Sequence, residues 1–239
     1  LSPWLGLPIG LALTAAVAVV LGALTLRLSG HYLALGPIAW GISLSYVFGN
    51  VDGLGGFNGI SNIPPLPLFD AKIQTAREFY YLIWACVLLA LVALVNLLNS
   101  RPGRAIRALR NAGMAESFGV NTAWLKLVVF VYAALLAGLA GWLHAHYLRF
   151  VNPGPFGVGY SIEYLFMIVV GGAAHVWGAI VGAGLITALK TWLQDLLPKL
   201  FGSSGQFEVI VFGILIILLL QHAGGGVMAR IVRLFPPRR

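Results

Sequence analysis

The sequence predicts an all-α fold: a polytopic transmembrane helical bundle with kinked or discontinuous helices and a short cytoplasmic helical segment. Of 239 residues, 59% are apolar and only 9% are charged, against roughly 25% charged in soluble domains. Mean hydropathy is +0.91. The apolar residues also fall in runs of about 20, the helical length that crosses a hydrocarbon core of about 30 Å. A soluble enzyme and a disordered tail are both excluded, because too little polar surface exists to cover the outside.

Lysine and arginine number 15 against 7 acidic residues, a net charge of +8. In a soluble protein that excess would point to nucleic acid. Here the charges sit between apolar runs, where basic residues mark cytoplasmic loops, so a membrane and no nucleic acid is the expected partner. The single cysteine, Cys86, lies inside an apolar run and permits neither an intrachain disulfide nor a cysteine-based metal site.

Pro3 to Leu26 is uncharged and long enough to span. No basic residues precede it, and it exceeds a secretory signal core. Arg27 ends it. Leu28 to about Phe48 is a second span, and Pro37 removes a helical hydrogen bond there, which predicts a kink or break. Asn50 to Ala76 carries Gly53, Gly55, Gly56, Gly59, Pro64, Pro65 and Pro67, residues that specify turns rather than a helix or strand. No Lys-Ser/Thr follows its glycines, so it is not a P-loop. Phe79 to Leu98 is the third span.

Arg101, Arg104, Arg107 and Arg110 then recur every three residues, with Ile106 and Leu109 between them. Positions three apart lie near one helical face. Asn111 to Gly113 interrupts this helix. A second short piece, Met114 to Phe118, ends at Gly119 as a C-cap, and Asn121 caps the next helix. Neither piece can span, and two short amphipathic helices on the cytoplasmic surface fit best. Glu116 is placed to bridge to Arg110 or to a partner. Leu127 to Leu148 is the fourth span, with Ala137, Gly138, Ala140 and Gly141 as a small face for close approach. His144 and His146 are two apart and cannot form the i, i+4 zinc pair; interfacial histidines are the better reading, and no metal site is expected. Asn152 to Gly159 is a Pro/Gly loop. Val209 to about Leu220 is the last span, before a basic tail at 228–239.

Placing the Arg101 loop and the tail in the cytoplasm makes Ser161 to Trp192 begin and end outside, or cross twice. That stretch is too short for two full spans with a turn. The alternatives are a half-helix entering as far as Gly171–Gly172 followed by a tilted helix going out, or two shortened crossings. The discontinuous element is favoured. The same topology puts the Asn50 loop and the first residue outside, so an odd number of N-terminal helices is expected ahead of Leu1.

Three stretches resemble one family. Arg107, Ala108, Arg110, Asn111, Ala115, Gly119, Val120 and Asn121, then Ala137 to Gly141, are similar to its R-A-x-R-x-N-x-x-A-x-x-x-G-V/I-N segment and the A-G-L-A-G helix after it. RLSGHYLA at Arg27 to Ala34 with LGGFNGI at Leu54 to Ile60 is the second, and MIVVGGAAHVWGAIVGA at Met167 to Ala183 the third. Together they resemble the LivM-like permease subunit of branched-chain amino-acid ABC transporters. Ala179 stands where that family often has Pro, and His175 where a small hydroxyl residue is common.

The resemblance implies a single permease domain over 1–239, in the inner membrane of a bacterium, and no enzyme. It would pair with a second, LivH-like permease, while two ABC ATPase subunits or domains hold ATP and Mg; no cofactor is expected on this chain. A soluble extracytoplasmic binding protein would deliver branched-chain amino acids, or related amino acids, amides or urea. Residues 101–120 would be the coupling helix, with Arg104, Arg107, Arg110, Asn111, Glu116 and Gly119 meeting an ATPase. The arginines read equally as a topology signal alone. Pro37, Gly55, Gly56, Asn58, Glu163, Gly171 and Gly172 are the expected pathway residues, although close helix packing explains the glycines as well. An ion-coupled secondary transporter is the competing reading, since broken helices occur there too; it predicts intramembrane carboxylates or a cation site, which the central spans lack.

Overall fold

The computed structural model describes residues 2–26, 31–51, 53, 55–68, 71–73, 75–173, 175–201, 213–214 and 221. Arg27, Gly30, Leu54, most of the expected last span and the 228–239 tail lie outside the described residues. The elements run α1 Pro3–Thr25, α2 His31–Asn50, β1 Ile60–Ser61, β2 Leu66–Leu68, β3 Ala71–Ile73, α3 Ala76–Asn99, α4 Arg101–Ala108, α5 Ala112–Ser117, α6 Thr122–Leu148, β4 Phe150–Val151, α7 Val158–Gly171 and α8 Val176–Phe201. Four described helices are long and apolar enough to cross a membrane: α1, α3, α6 and Val176–Leu196 of α8. Their outer faces carry exposed Leu13, Val20, Leu89 and Val92, as lipid-facing helices require. The chain forms two compact units, Leu1–Gly157 and Val158–Arg239.

In the first unit α1 packs antiparallel along α6. Gly6 faces Trp142, Gly138 meets Leu11 and Thr14, and Gly22 meets Leu127 and Phe130. Of the expected small face only Gly138 makes this approach; Gly141 opens onto space, and Ala137 and Ala140 are exposed. Of the kink or break expected at Pro37, the helix α2 excludes the break, because it continues through that residue. Pro37 forfeits one backbone bond, and neighbouring protein readily covers such a loss in a spanning helix.

The connection from Asn50 to Ala76 corrects another expectation. It holds three short strands rather than turns alone. The β1 strand pairs antiparallel with β4, Ile60 opposite Val151, and β2 with β3, Leu66 opposite Ile73. Glycine and proline limit each to two or three residues, yet the alternation in β2–β3 turns Leu66 and Ile73 to one side, where they are buried with Phe79 against Leu82 and Trp142. Two anchors tie this loop to the helices. Trp4 donates its indole N–H to the Pro67 carbonyl at 2.5 Å, and buried His146 bonds the Pro64 carbonyl through Nδ1 at 3.1 Å. The His146 ring also packs on Trp142, centroids 4.9 Å apart, so the reading of a histidine merely at the interface understates it.

Candidate functional site

The arginine-bearing segment is held at both ends. Ser100 closes α3 and opens α4: its hydroxyl donates to the Leu97 carbonyl at 2.5 Å and accepts from Gly103 N–H at 3.3 Å. Gly103 is buried there, and a Cβ would fall on the Leu97 carbonyl oxygen. The reversal from α3 into α4 is therefore tight. A 3-10 turn, Leu109–Asn111, separates α4 from α5, two residues ahead of the interruption expected at Asn111 to Gly113, since Ala112 and Gly113 already belong to α5. At the far end the N–H groups of Gly119 and Val120 return to the carbonyls of Glu116 and Ala115. That is a Schellman closure with Gly119 at φ +77°. Asn121 then accepts from Trp124 N–H at 3.0 Å and caps α6.

Between these caps the side chains divide into two sets. Ile106 and Leu109 are half-buried, while Arg104, Arg107 and Arg110 are exposed. Arg107 leans back to donate to Asn99 Oδ1 at 3.3 Å. Glu116 does not bridge to Arg110; it accepts from the Thr122 hydroxyl across the short turn that brings the α5 end beside the start of α6. Asn111 makes no side-chain cap on α5. Sequence reasoning missed the apolar part: Met114 is 64% and Phe118 80% exposed. They lie four apart, so they share one face. Two large apolar side chains left that open beside arginines make this an amphipathic surface.

In the second unit α7 has 14 residues, about 21 Å of helix, short of the roughly 30 Å a crossing needs. The chain turns at Gly172, φ +102°, and returns through the 26 residues of α8. This is the discontinuous element expected from length. Residues four apart align the pair, with Glu163, Met167 and Gly171 on α7 against Gly178, Gly182, Ile186 and Lys190 on α8. A Cβ at Gly171 would fall on the Gly178 carbonyl oxygen, and one at Gly182 on the Met167 carbonyl oxygen. Val170, Gly171, Gly172 and Ile186 are all buried. The backbones touch, so close packing accounts for Gly171 and Gly172. At the open end Lys190 Nζ lies 3.0 Å from both oxygens of Glu163 and 5.9 Å from the Tyr160 ring centre.

The remaining expected residues lie in the first unit. Gly55 and Gly56 have φ of +85° and +54° and form the turn over the end of α2, where Gly56 is buried against the Gly49 carbonyl. Asn58 is exposed beside them. Pro37 lines a cavity of about 480 Å³ with Thr25, Leu109, Lys126 and Phe130, at the end of the arginine-bearing segment. A cavity of about 410 Å³ lies between α2 and the loop after β4, walled by Leu44, Phe48, Val151 and Phe156 with Ser45 and Asn152 as polar points.

Over residues 1–220 the chain matches the family described as branched-chain amino acid transport system / permease component. It is 31% identical over 242 residues to the high-affinity branched-chain amino acid transport system permease protein LivM of Escherichia coli (strain K12), covering 91% of this chain and 55% of that one. It is 31% identical over 170 residues to the permease protein LivH of the same kind of system from Salmonella typhimurium, covering 71% and 53%. To the ribose import permease protein RbsC of Escherichia coli (strain K12) it is 27% identical over 143 residues, 57% and 43%. The chain spans about half the length of the curated relatives it matches. No solved structure matches it significantly.

Proposed function

We propose that this chain, which belongs to the branched-chain amino acid transport permease family, forms one half of the membrane pathway of an ABC importer. Its relatives are transport permeases rather than enzymes, and it is a multi-pass membrane protein. On this reading a LivH-like permease supplies the other half in a bacterial inner membrane. Two ATPase subunits or domains bind ATP and Mg and drive both. An extracytoplasmic binding protein delivers branched-chain amino acids, or related amino acids, amides or urea.

The observation that carries the reading is the doubly capped segment from Ser100 to Asn121. It offers a partner four exposed arginines and two exposed large apolar side chains on a support locked to α3 and α6. A groove with acidic rims and an apolar floor is its natural complement. Movement of an ATPase against it would be passed to α3 and α6 together, because the Ser100 and Asn121 caps leave little slack. Alternating access then follows if nucleotide binding favours one of two permease states over the other. The helix ends at Gly171–Gly172 give the pathway backbone polar groups within the membrane, suited to a zwitterionic solute.

The test is reconstitution with the neighbouring ATPases, second permease and binding protein. Uptake of labelled leucine should require internal ATP, and Arg107→Glu with Arg110→Glu should lower ATPase co-purification while membrane insertion persists. Uptake that ignores ATP and collapses with an ion gradient would overturn the reading.

A further inference from the structure

Glu163 and Lys190 face each other across the open end of the α7–α8 pair; Glu163 is the one charged residue of α7, and Lys190 is the first of α8, ahead of Asp195 and Lys199. One ammonium hydrogen-bonds both carboxylate oxygens at 3.0 Å, yet 34% of the Lys190 side chain and 17% of the Glu163 side chain stay exposed. An ammonium has three donors and a carboxylate about four acceptor positions, so both keep unused hydrogen-bonding capacity. Ionisable groups in spanning segments face protein or water, not lipid. The pair is not needed to close the helices, since Gly171, Gly178 and Gly182 already bring the backbones together. An ion pair also stabilises such a contact no better than apolar side chains of similar volume.

We propose that Glu163, Lys190 and Tyr160 form an amphoteric subsite in the pathway that takes the ammonium and carboxylate of a zwitterionic α-amino acid. This rests on the permease reading above. The site has no net charge, so it favours neither a cation nor an anion. A zwitterion exchanges the internal ion pair for two, its ammonium to Glu163 and its carboxylate to Lys190. Tyr160 offers its ring face to a cation at the same spot, already 5.9 Å from Lys190 Nζ.

The experiment uses the complete transporter in vesicles, without binding protein, carrying Cys86→Ser and a single reporter thiol, Thr187→Cys, one turn from Lys190 on the exposed side of α8. A membrane-impermeant methanethiosulfonate should label the reporter. L-leucine at about ten times its dissociation constant should slow labelling about tenfold by mass action. Leucinamide, which lacks the carboxylate, and 4-methyl-2-oxopentanoate, which lacks the ammonium, should barely slow it, and Lys190→Met should abolish protection by leucine. No labelling, no protection, or equal protection by all three compounds would overturn the subsite. A second variant tests a purely structural role: Glu163→Met with Lys190→Met replaces the ion pair by apolar side chains of similar volume, and uptake at the parent level would overturn the proposal. ATP-driven leucine uptake by the parent, with binding protein added, separates the two readings. Its absence overturns the permease function itself, whereas uptake without leucine protection overturns the subsite alone.

Discussion

Gly171 at the end of α7 and Gly178 in the first turn of α8 touch backbone to backbone, with no room for a side chain on either. That contact lies in the same register as Met167 against Gly182 and Glu163 against Lys190 further along the α7–α8 pair.

Replacing Gly178 by leucine should therefore cost more than the roughly 1–3 kcal/mol of ordinary overpacking, since the obstacle is backbone that cannot turn aside. Thermal unfolding of the purified protein in detergent should show a large drop. Gly184→Ala is the control: it lies on the same helix with open space around it and should stabilise by up to about 1 kcal/mol through helix propensity.

Phe118→Ala and Met114→Ala remove exposed apolar side chains and no internal contact of consequence, so the folded protein should keep its stability within about 0.5 kcal/mol. Binding of the ATPase should weaken by about 2 kcal/mol at Phe118 if it is a central anchor, near 30-fold in affinity. Titration of purified ATPase onto the permease measures both.

Thr75 and Glu78 form a capping box at the start of α3, with Thr75 N–H donating to Glu78 Oε2 at 3.2 Å. Thr75→Ala should destabilise by about 1 kcal/mol. Amide exchange should rise in the first turn of α3 and remain unchanged near its end at Asn99.

His146→Phe keeps the ring against Trp142 but leaves the Pro64 carbonyl without its donor. A cost of about 1–3 kcal/mol is expected, felt mainly by the loop between α2 and α3. Limited proteolysis of the purified protein should cut between Ile60 and Ile73 sooner than in the parent.

Much of this architecture was legible in local sequence. Length and apolarity marked α1, α3 and α6 as spans, and Gly119 and Asn121 act as caps where their residue types suggested. Lengths alone pointed to a half-helix ending at Gly171. The capping box at Thr75 and the Gly178–Gly182 spacing were present as signals and went unread. What local pattern could not supply was pairing across the chain. Lys190 as the partner of Glu163 is 27 residues away, and no periodicity announces it. The β1–β4 ladder joins residues from opposite sides of two spans, and its strands are too short to show alternation. At Pro37 the expected break did not form, because a proline removes one hydrogen bond and the helix continues on either side of it.

The loop between α2 and α3 has a history as well as a shape. Its two anchors reach to Trp4, 63 residues before Pro67, and to His146, 82 residues after Pro64. During synthesis the loop emerges long before α6 has been threaded through the bilayer, so it must wait, with Trp4 as its one long-range anchor, until His146 and β4 arrive. Nascent chains halted before Leu143 should leave that loop open to added protease, and chains released after Val151 should protect it.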